Sequence, residues 1–287
     1  MEGFEKNSRR EFLKKSSLGL GSFAIPKIIS KLEQISRYTE FKKTNQQFKN
    51  GEYIYSVESN NERVGEFWPV RGINLVTKDT DPEIFEGSLE DINSKLKGVA
   101  TAPDGMTAGS VGSYQMEGKA LSNGRPCGDG QVKNYGIVHV KNGFDITFTH
   151  NREISDFDSF YNEAKQDGDT LFFLPSIYRK GNTIDAQNLI DKVLIRRDTP
   201  SGQQVGAVLF DKPISGNEAR EILVGLDRKD SNTGQIKSQT THIYVLDGGP
   251  SWGGSVKEVY ENGSKTPAVE EKGTRDPNVV TNYLVFY

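Results

Sequence analysis

The sequence has little from which to build a metal centre or a covalent cross-link. Of 287 residues, one is cysteine (Cys127) and three are histidine (His139, His150 and His242). A lone thiol makes no internal disulfide and excludes a cysteine-built metal site. Three histidines leave little for a histidine-built one. Excess positive charge is also missing where a nucleic-acid binder would need it. Residues 1–50 hold 11 Lys/Arg against five Asp/Glu, a net of +6, which leaves 25 against 34, a net of −9, for residues 51–287. An acidic body does not neutralise a phosphate backbone, so nucleic acid is excluded as a general partner. No internal repeat is visible. With 34% hydrophobic and 26% charged residues, the composition is that of a globular protein of one large domain or two small ones.

The basic start has its own pattern. Ser8-Arg9-Arg10-Glu11-Phe12-Leu13-Lys14 precedes a short apolar run that Pro26 interrupts, too short to span a bilayer as a stable helix. It resembles a bacterial twin-arginine export signal, which implies residues 1–30 as a signal segment, the twin-arginine export machinery as a partner, and a periplasmic or extracellular location. The other reading of the same residues is a basic amphipathic helix. Residues 31–50 are polar and Lys/Gln-rich and read as a tether, leaving 51–287 as the functional domain.

Within that body, short β-rich runs (YIYSV, GINLV, TLFFL, KVLIR, GAVLF, HIYVL) alternate with three capped helical signals. These begin at Ser88 with Asp91, at Ser155 with Asp158, and at Ser215 with Glu218, each followed by apolar residues at helical spacing. The expected fold class is therefore α/β (α+β), a mixed β-sheet with helices packed on it in one compact domain. Asn142-Gly143 predicts a two-residue type I′ hairpin pairing Lys141 with Phe144. That register puts His139 and His150 on one face, about 13 Å apart at the usual rise and too far apart to share an ion.

The stretch carrying most chemistry is THIYVLDGGPSWGGS, residues 241–255. A buried-looking strand ends on Asp247, and glycines then strip side chains from the backbone, so that a ligand can approach its N–H groups. Trp252 beside Gly253 offers a sugar-stacking wall. A tight turn in which Asp247 bonds its own backbone would use the same residues.

Several motifs in order decide between these readings. They are LIRRDT with Arg197, GAVLF, ISGNEAREIL with Glu218, YVLDGGPS with Asp247 and Ser251, KEVYENG, and VVTNYLVF with Asn282, with VGSYQMEGKAL upstream. In this order they resemble the phosphodiester glycosidase family over roughly residues 90–287. The resemblance implies an exported hydrolase that cleaves the glycosidic C–O bond of sugar-1-phosphodiesters in envelope or extracellular glycans. Its substrate is a glycan or sugar-phosphate. Asp247 is then the catalytic carboxylate stabilising an oxocarbenium-like transition state, with Glu218 as a second one. Arg197 and Arg275 would hold the phosphate, a planar guanidinium matching two oxygens at once. Gly248 and Gly249 would share its charge through backbone N–H groups. Ser251, Trp252, Ser113, Tyr114 and Asn282 would line the sugar site. Each has a plainer role available: Glu218 as a capping-box residue, the arginines as surface ion pairs, Ser113 and Tyr114 as turn and core. A divalent cation bridging Asp247 and the phosphate is compatible with this site, though no carboxylate cluster calls for one.

The chain departs from the family pattern at Pro250, in place of the third glycine after the acid, and at Val111 and Gln115, in place of Asn and Phe. These departures leave open a non-catalytic carbohydrate-binding relative. A metal-dependent phosphodiesterase cutting P–O is the third reading.

Overall fold

The structure, a computed structural model, describes residues 38–86, 91, 94–96, 100–103, 107–108, 115–116, 118–179, 182–229, 236–246, 255–257, 259–266, 269–271 and 282–287. Contacts within the chain divide it into Met1–Tyr38 and Thr39–Tyr287, and every element described belongs to the second unit. Strands dominate it, and each pairing among the described residues is antiparallel. The expectation of an α/β mixed sheet is thus overturned: this is a β-rich antiparallel fold in which helices are minor. The physical reason lies in runs such as TLFFL. It is buried at every position, and a strand covered on both faces reads the same whether its neighbours run parallel or antiparallel.

Strands of three or more residues, numbered along the chain, form three sheets. The largest runs β11 (Ser176–Arg179), β14 (Ile236–Val245), β12 (Leu189–Thr199), β13 (Gly202–Ser215), β3 (Glu62–Val70), β2 (Tyr53–Ser59), β1 (Thr39–Phe48) and β16 (Val259–Glu261). A second runs β9 (Asp145–His150), β8 (Gly136–Lys141), β10 (Thr170–Leu174), β6 (Ala120–Ser122) and β7 (Arg125–Cys127). The third runs β17 (Val269–Glu271), β15 (Ser255–Lys257), β5 (Ala100–Pro103), β18 (Asn282–Phe286) and β4 (Ile73–Thr77). Strand β1 occupies much of the stretch read as a tether. Its polar residues belong to a half-exposed strand paired with β2, with only Thr39 and Phe48 buried.

Alternation along the strands divides the core. Leu194 and Tyr244, opposite each other on β12 and β14, join a cluster with Trp68, Leu121, Phe172, Leu246 and Leu284 that draws on all three sheets. Ile195 and Ile243, one step along, point to the other face and pack with Phe67, Val208 and the Ala219, Ile222 and Leu223 stripe of a helix, Gly216–Val224. Tyr244 also fastens the first sheet to the second. Its hydroxyl donates to the Thr149 carbonyl at 2.6 Å, and its ring lies over Gly136, where a Cβ would come within 2.5 Å of Cζ.

Two α-helices are described along their whole length. In α1 (Phe157–Asp167) the N-cap is Asp156, one residue beyond the expected Ser155, and it accepts from the Ser159 N–H at 3.0 Å. In α2 (Gly216–Val224) Ser215 caps as its sequence predicts, accepting from the Glu218 N–H at 3.2 Å. Of the segment starting at Ser88, only Asp91 and 94–96 are described, and Asp91, Ser94 and Lys95 are helical. The Asn142-Gly143 turn forms, with φ of 51° and 77°, but its loop takes three residues, since Lys141 pairs with Asp145 instead of Phe144. That one-residue shift puts His139 opposite Thr147 and His150 opposite Gly136, on opposite faces of the hairpin, which corrects the expected shared face. His139 is instead held by Asp169, Nε2 to Oδ2 at 2.8 Å, with both residues buried.

His242 of β14 stands opposite Arg179 and Arg196, with Phe148 beside its ring. Burial, then the nearby Arg196 charge, lowers its imidazole pKa from 6.5 to about 4. The unfolded chain takes up this proton near pH 6.5 and the folded chain only near pH 4, so the unfolded state binds more protons between them. Stability is then full above about pH 6.5 and falls as pH drops towards 4, by on the order of 2 kcal/mol for a partly exposed ring. Denaturant unfolding across that window should show this slope, and His242→Phe should flatten it.

Candidate functional site

The candidate site follows the end of β14 in the sequence. Val245 pairs with Val193 of β12, and the Leu246 N–H then donates to the Lys192 carbonyl at 3.2 Å, so the chain leaves the sheet directly beside Lys192. The next residues are Asp247, Gly248, Gly249, Ser251 and Trp252. They lie outside the described residues, as do Ser113, Tyr114 and Arg275. The rim before them is the end of β14 with β12 beside it.

Lys192 is the unusual feature of that rim. It is 2% exposed, two residues from Leu194, and therefore on the same side of the sheet as the large core cluster. A buried ammonium is tolerated only among groups that satisfy its charge and its donors. Its neighbour Asp191 brings a carboxylate oxygen to 4.0 Å from Nζ. Burial raises the Asp191 pKa above the ordinary carboxylate value, against the opposing pull of the Lys192 charge. A strand end with a buried cation and a reluctantly ionised acid is a setting suited to anion binding and proton transfer.

Three of the sequence-derived site residues are described, and the structure does not gather them. Arg197 opposes Thr240, six residues before Leu246, which is about 20 Å along the strand. It is 7% exposed and serves the far end of α2. Its Nη2 donates to the Leu226 carbonyl at 2.9 Å and to Ser238 Oγ at 3.1 Å, and its guanidinium lies 5.3 Å from the Phe41 ring centre. This is the work of a buried structural arginine. Arg197→Ala should cost about 2–4 kcal/mol, because it strips charged donors from a buried carbonyl. A shift in the urea midpoint is the expected measurement.

Glu218 is exposed at the first turn of α2, and it is its backbone N–H that meets Ser215. That turn is tied to the start of β12, since the Gly216 N–H donates to the Asn188 carbonyl at 3.1 Å. Glu218 therefore shares the end of the sheet with Lys192 but stands on the helix side. Asn282 opens β18 wholly buried, opposite Thr77 of β4, in a different sheet.

The burial of Lys192 was missed by sequence reasoning although it had a signal: a single lysine at the head of an apolar strand, Asp-Lys-Val-Leu-Ile. Only the register against β14 shows that it, and not Arg197 five residues on, meets the end of HIYVL.

Comparison with known proteins gives a distant likeness. The structure is similar to the solved catalytic domain of zebrafish N-acetylglucosamine-1-phosphodiester alpha-N-acetylglucosaminidase, auto-inhibited by its pro-peptide. The TM-score is 0.47 at 12% identity, covering 88% of this chain and 83% of that one. No family model matches the chain. No curated protein matches it.

Proposed function

We propose that the protein is a hydrolase of sugar-1-phosphodiesters that breaks the glycosidic C–O bond at the end of β14. The observation that carries this reading is the bond from the Leu246 N–H to the carbonyl of the buried Lys192, with Asp247 next in sequence. Asp247 supplies the carboxylate that stabilises positive charge at the anomeric carbon and takes the proton of the attacking water. Lys192, instead of Arg197, supplies the cation for the phosphate. The glycines at 248 and 249 share the charge of the same anion through their backbone N–H groups. The ordered motifs from Leu194 to Asn282 support the reading from the sequence side. The leader-like Ser8–Lys14 pattern supports export and an envelope or extracellular glycan as substrate.

A panel of sugar-1-phosphodiesters offered to the purified protein tests the proposal. Release of free sugar and a phosphate monoester is the expected result. Binding without turnover would instead mark a carbohydrate-binding relative, and neither binding nor turnover would remove phosphodiesters from the account.

A further inference from the structure

Arg179, His242 and Arg196 stand in a row across the largest sheet. His242 of β14 is the direct partner of Arg179 on β11 and of Arg196 on β12. Directly opposed residues of an antiparallel ladder share a face, so the arginines flank the imidazole from strands about 4.8 Å to either side. On this face the Tyr244 hydroxyl reaches the Thr149 carbonyl of β9, and Phe148 of β9 lies beside the His242 ring. The row therefore lies where two sheets meet. The pairing also slips here: one step from Arg196 to Arg197 faces two from His242 to Thr240, leaving Thr241 as the extra residue of a bulge.

Each member is held in place with hydrogen-bonding capacity to spare. Arg179 Nη1 donates to Glu153 Oε1 at 2.6 Å, and Glu153 Oε2 in turn accepts from Thr149 Oγ1 and the His150 N–H. Arg196 makes no side-chain hydrogen bond among the described residues. Asp198 Oδ1 stands 3.6 Å from its Nη2, and its Nε is buried without a partner. A buried N–H with no acceptor is costly, and a ligand oxygen would satisfy it. His242 has its tautomer set by the bulge. Thr241 Oγ1 spends its proton on the Arg196 carbonyl at 3.2 Å, so the imidazole donates in the 3.1 Å contact with Nδ1. The neutral ring then presents a lone pair at Nε2, and nothing among the described residues donates to it. Burial, and then the Arg196 charge, keep the ring neutral down to about pH 4.

We propose that Arg179, His242 and Arg196 bind a phosphate that still carries a proton, free or as a monoester. The two guanidiniums donate to its oxygens, and His242 Nε2 accepts its P–O–H. The proposal does not rest on the hydrolase reading, since His242 lies four residues before Leu246, about 13 Å along β14. An acceptor between two cations selects by proton as well as by charge. A phosphate monoester has a second pKa of about 6 and offers such a proton. Sulfate offers none, and would require His242 to ionise against its burial and two arginines. The acids facing His242 are Glu153 and Asp198, each beside one of the arginines. Tyr244 is spent on Thr149, and His150 accepts at Nδ1 from the Arg152 N–H.

The test follows the imidazole NMR resonances of the full protein at about pH 6 as inorganic phosphate, methyl phosphate or sulfate is added. The chain has three histidines, and the spectrum of His242→Phe identifies the resonance of interest. Either phosphate should shift the His242 signal with an affinity at least about tenfold above that of sulfate. Arg196→Gln and Arg179→Gln should each weaken the phosphate response by about tenfold, with thermal unfolding confirming that each variant is folded. A tighter response to methyl phosphate assigns the site to a monoester, and a tighter response to inorganic phosphate assigns it to the free anion. Sulfate binding as tightly as phosphate would overturn the proposal, because the proton would then play no part. So would a His242 signal that neither phosphate moves at millimolar concentration, or unchanged affinity in both folded arginine variants.

Discussion

Replacing Asp247 with asparagine should lower kcat on a sugar-1-phosphodiester by about a thousandfold or more while moving the melting temperature by only a few degrees. The carboxylate and the amide have nearly the same shape, so packing at a strand end changes little. What disappears is the negative charge that faces a cationic transition state and the base that accepts the proton of water, both felt in the chemical step. A variant that melts far below the wild type would instead make Asp247 a structural turn residue, with its carboxylate spent on its own backbone. Measuring kcat and thermal unfolding on the same preparation separates these outcomes.

The second large effect belongs to Lys192. Lys192→Met preserves an unbranched chain of similar length and removes the charge. A charge-assisted hydrogen bond contributes about 1.5–3 kcal/mol, which is roughly 10- to 100-fold in kcat/KM on a phosphodiester. The matching neutral p-nitrophenyl glycoside has no phosphate to lose contact with, so its kcat/KM should fall much less. The ratio of the two is the readout. Arg197→Ala, destabilising as it should be, should leave that ratio where it was, because Arg197 is spent on the Leu226 carbonyl and Ser238 about six residues up the strand pair. If Arg197→Ala lowers the ratio and Lys192→Met does not, the two cations have been assigned the wrong way round.

Parts of the fold were legible because their signals are local. Ser215-x-x-Glu218 announced the start of α2, and Asn142-Gly143 announced a hairpin turn, since both depend on a few adjacent residues. Register was not legible. A loop of three residues instead of two turned His139 and His150 to opposite faces, and nothing in the intervening residues dictated which loop would form. Strand direction was hidden for a related reason: β10 is buried on both faces and lacks the alternation that would mark an antiparallel sheet. Strand β1 escaped notice because Lys42, Lys43 and Gln46 are at home on its exposed positions and also in a tether. Motif order led to Arg197 on β12, whereas the register sets Lys192 beside Leu246. Five residues along a strand separate a position beside Leu246 from one at the far end of α2, a distance set by pairing and invisible to order alone.

The central claim, water attacking the sugar carbon instead of phosphorus, is tested most directly by hydrolysing a sugar-1-phosphodiester in isotope-labelled water and weighing both products. The account predicts heavy oxygen in the anomeric hydroxyl of the released sugar and none in the phosphate monoester. Label in the phosphate, with an unlabelled sugar, would contradict it and assign the strand-end site to P–O cleavage.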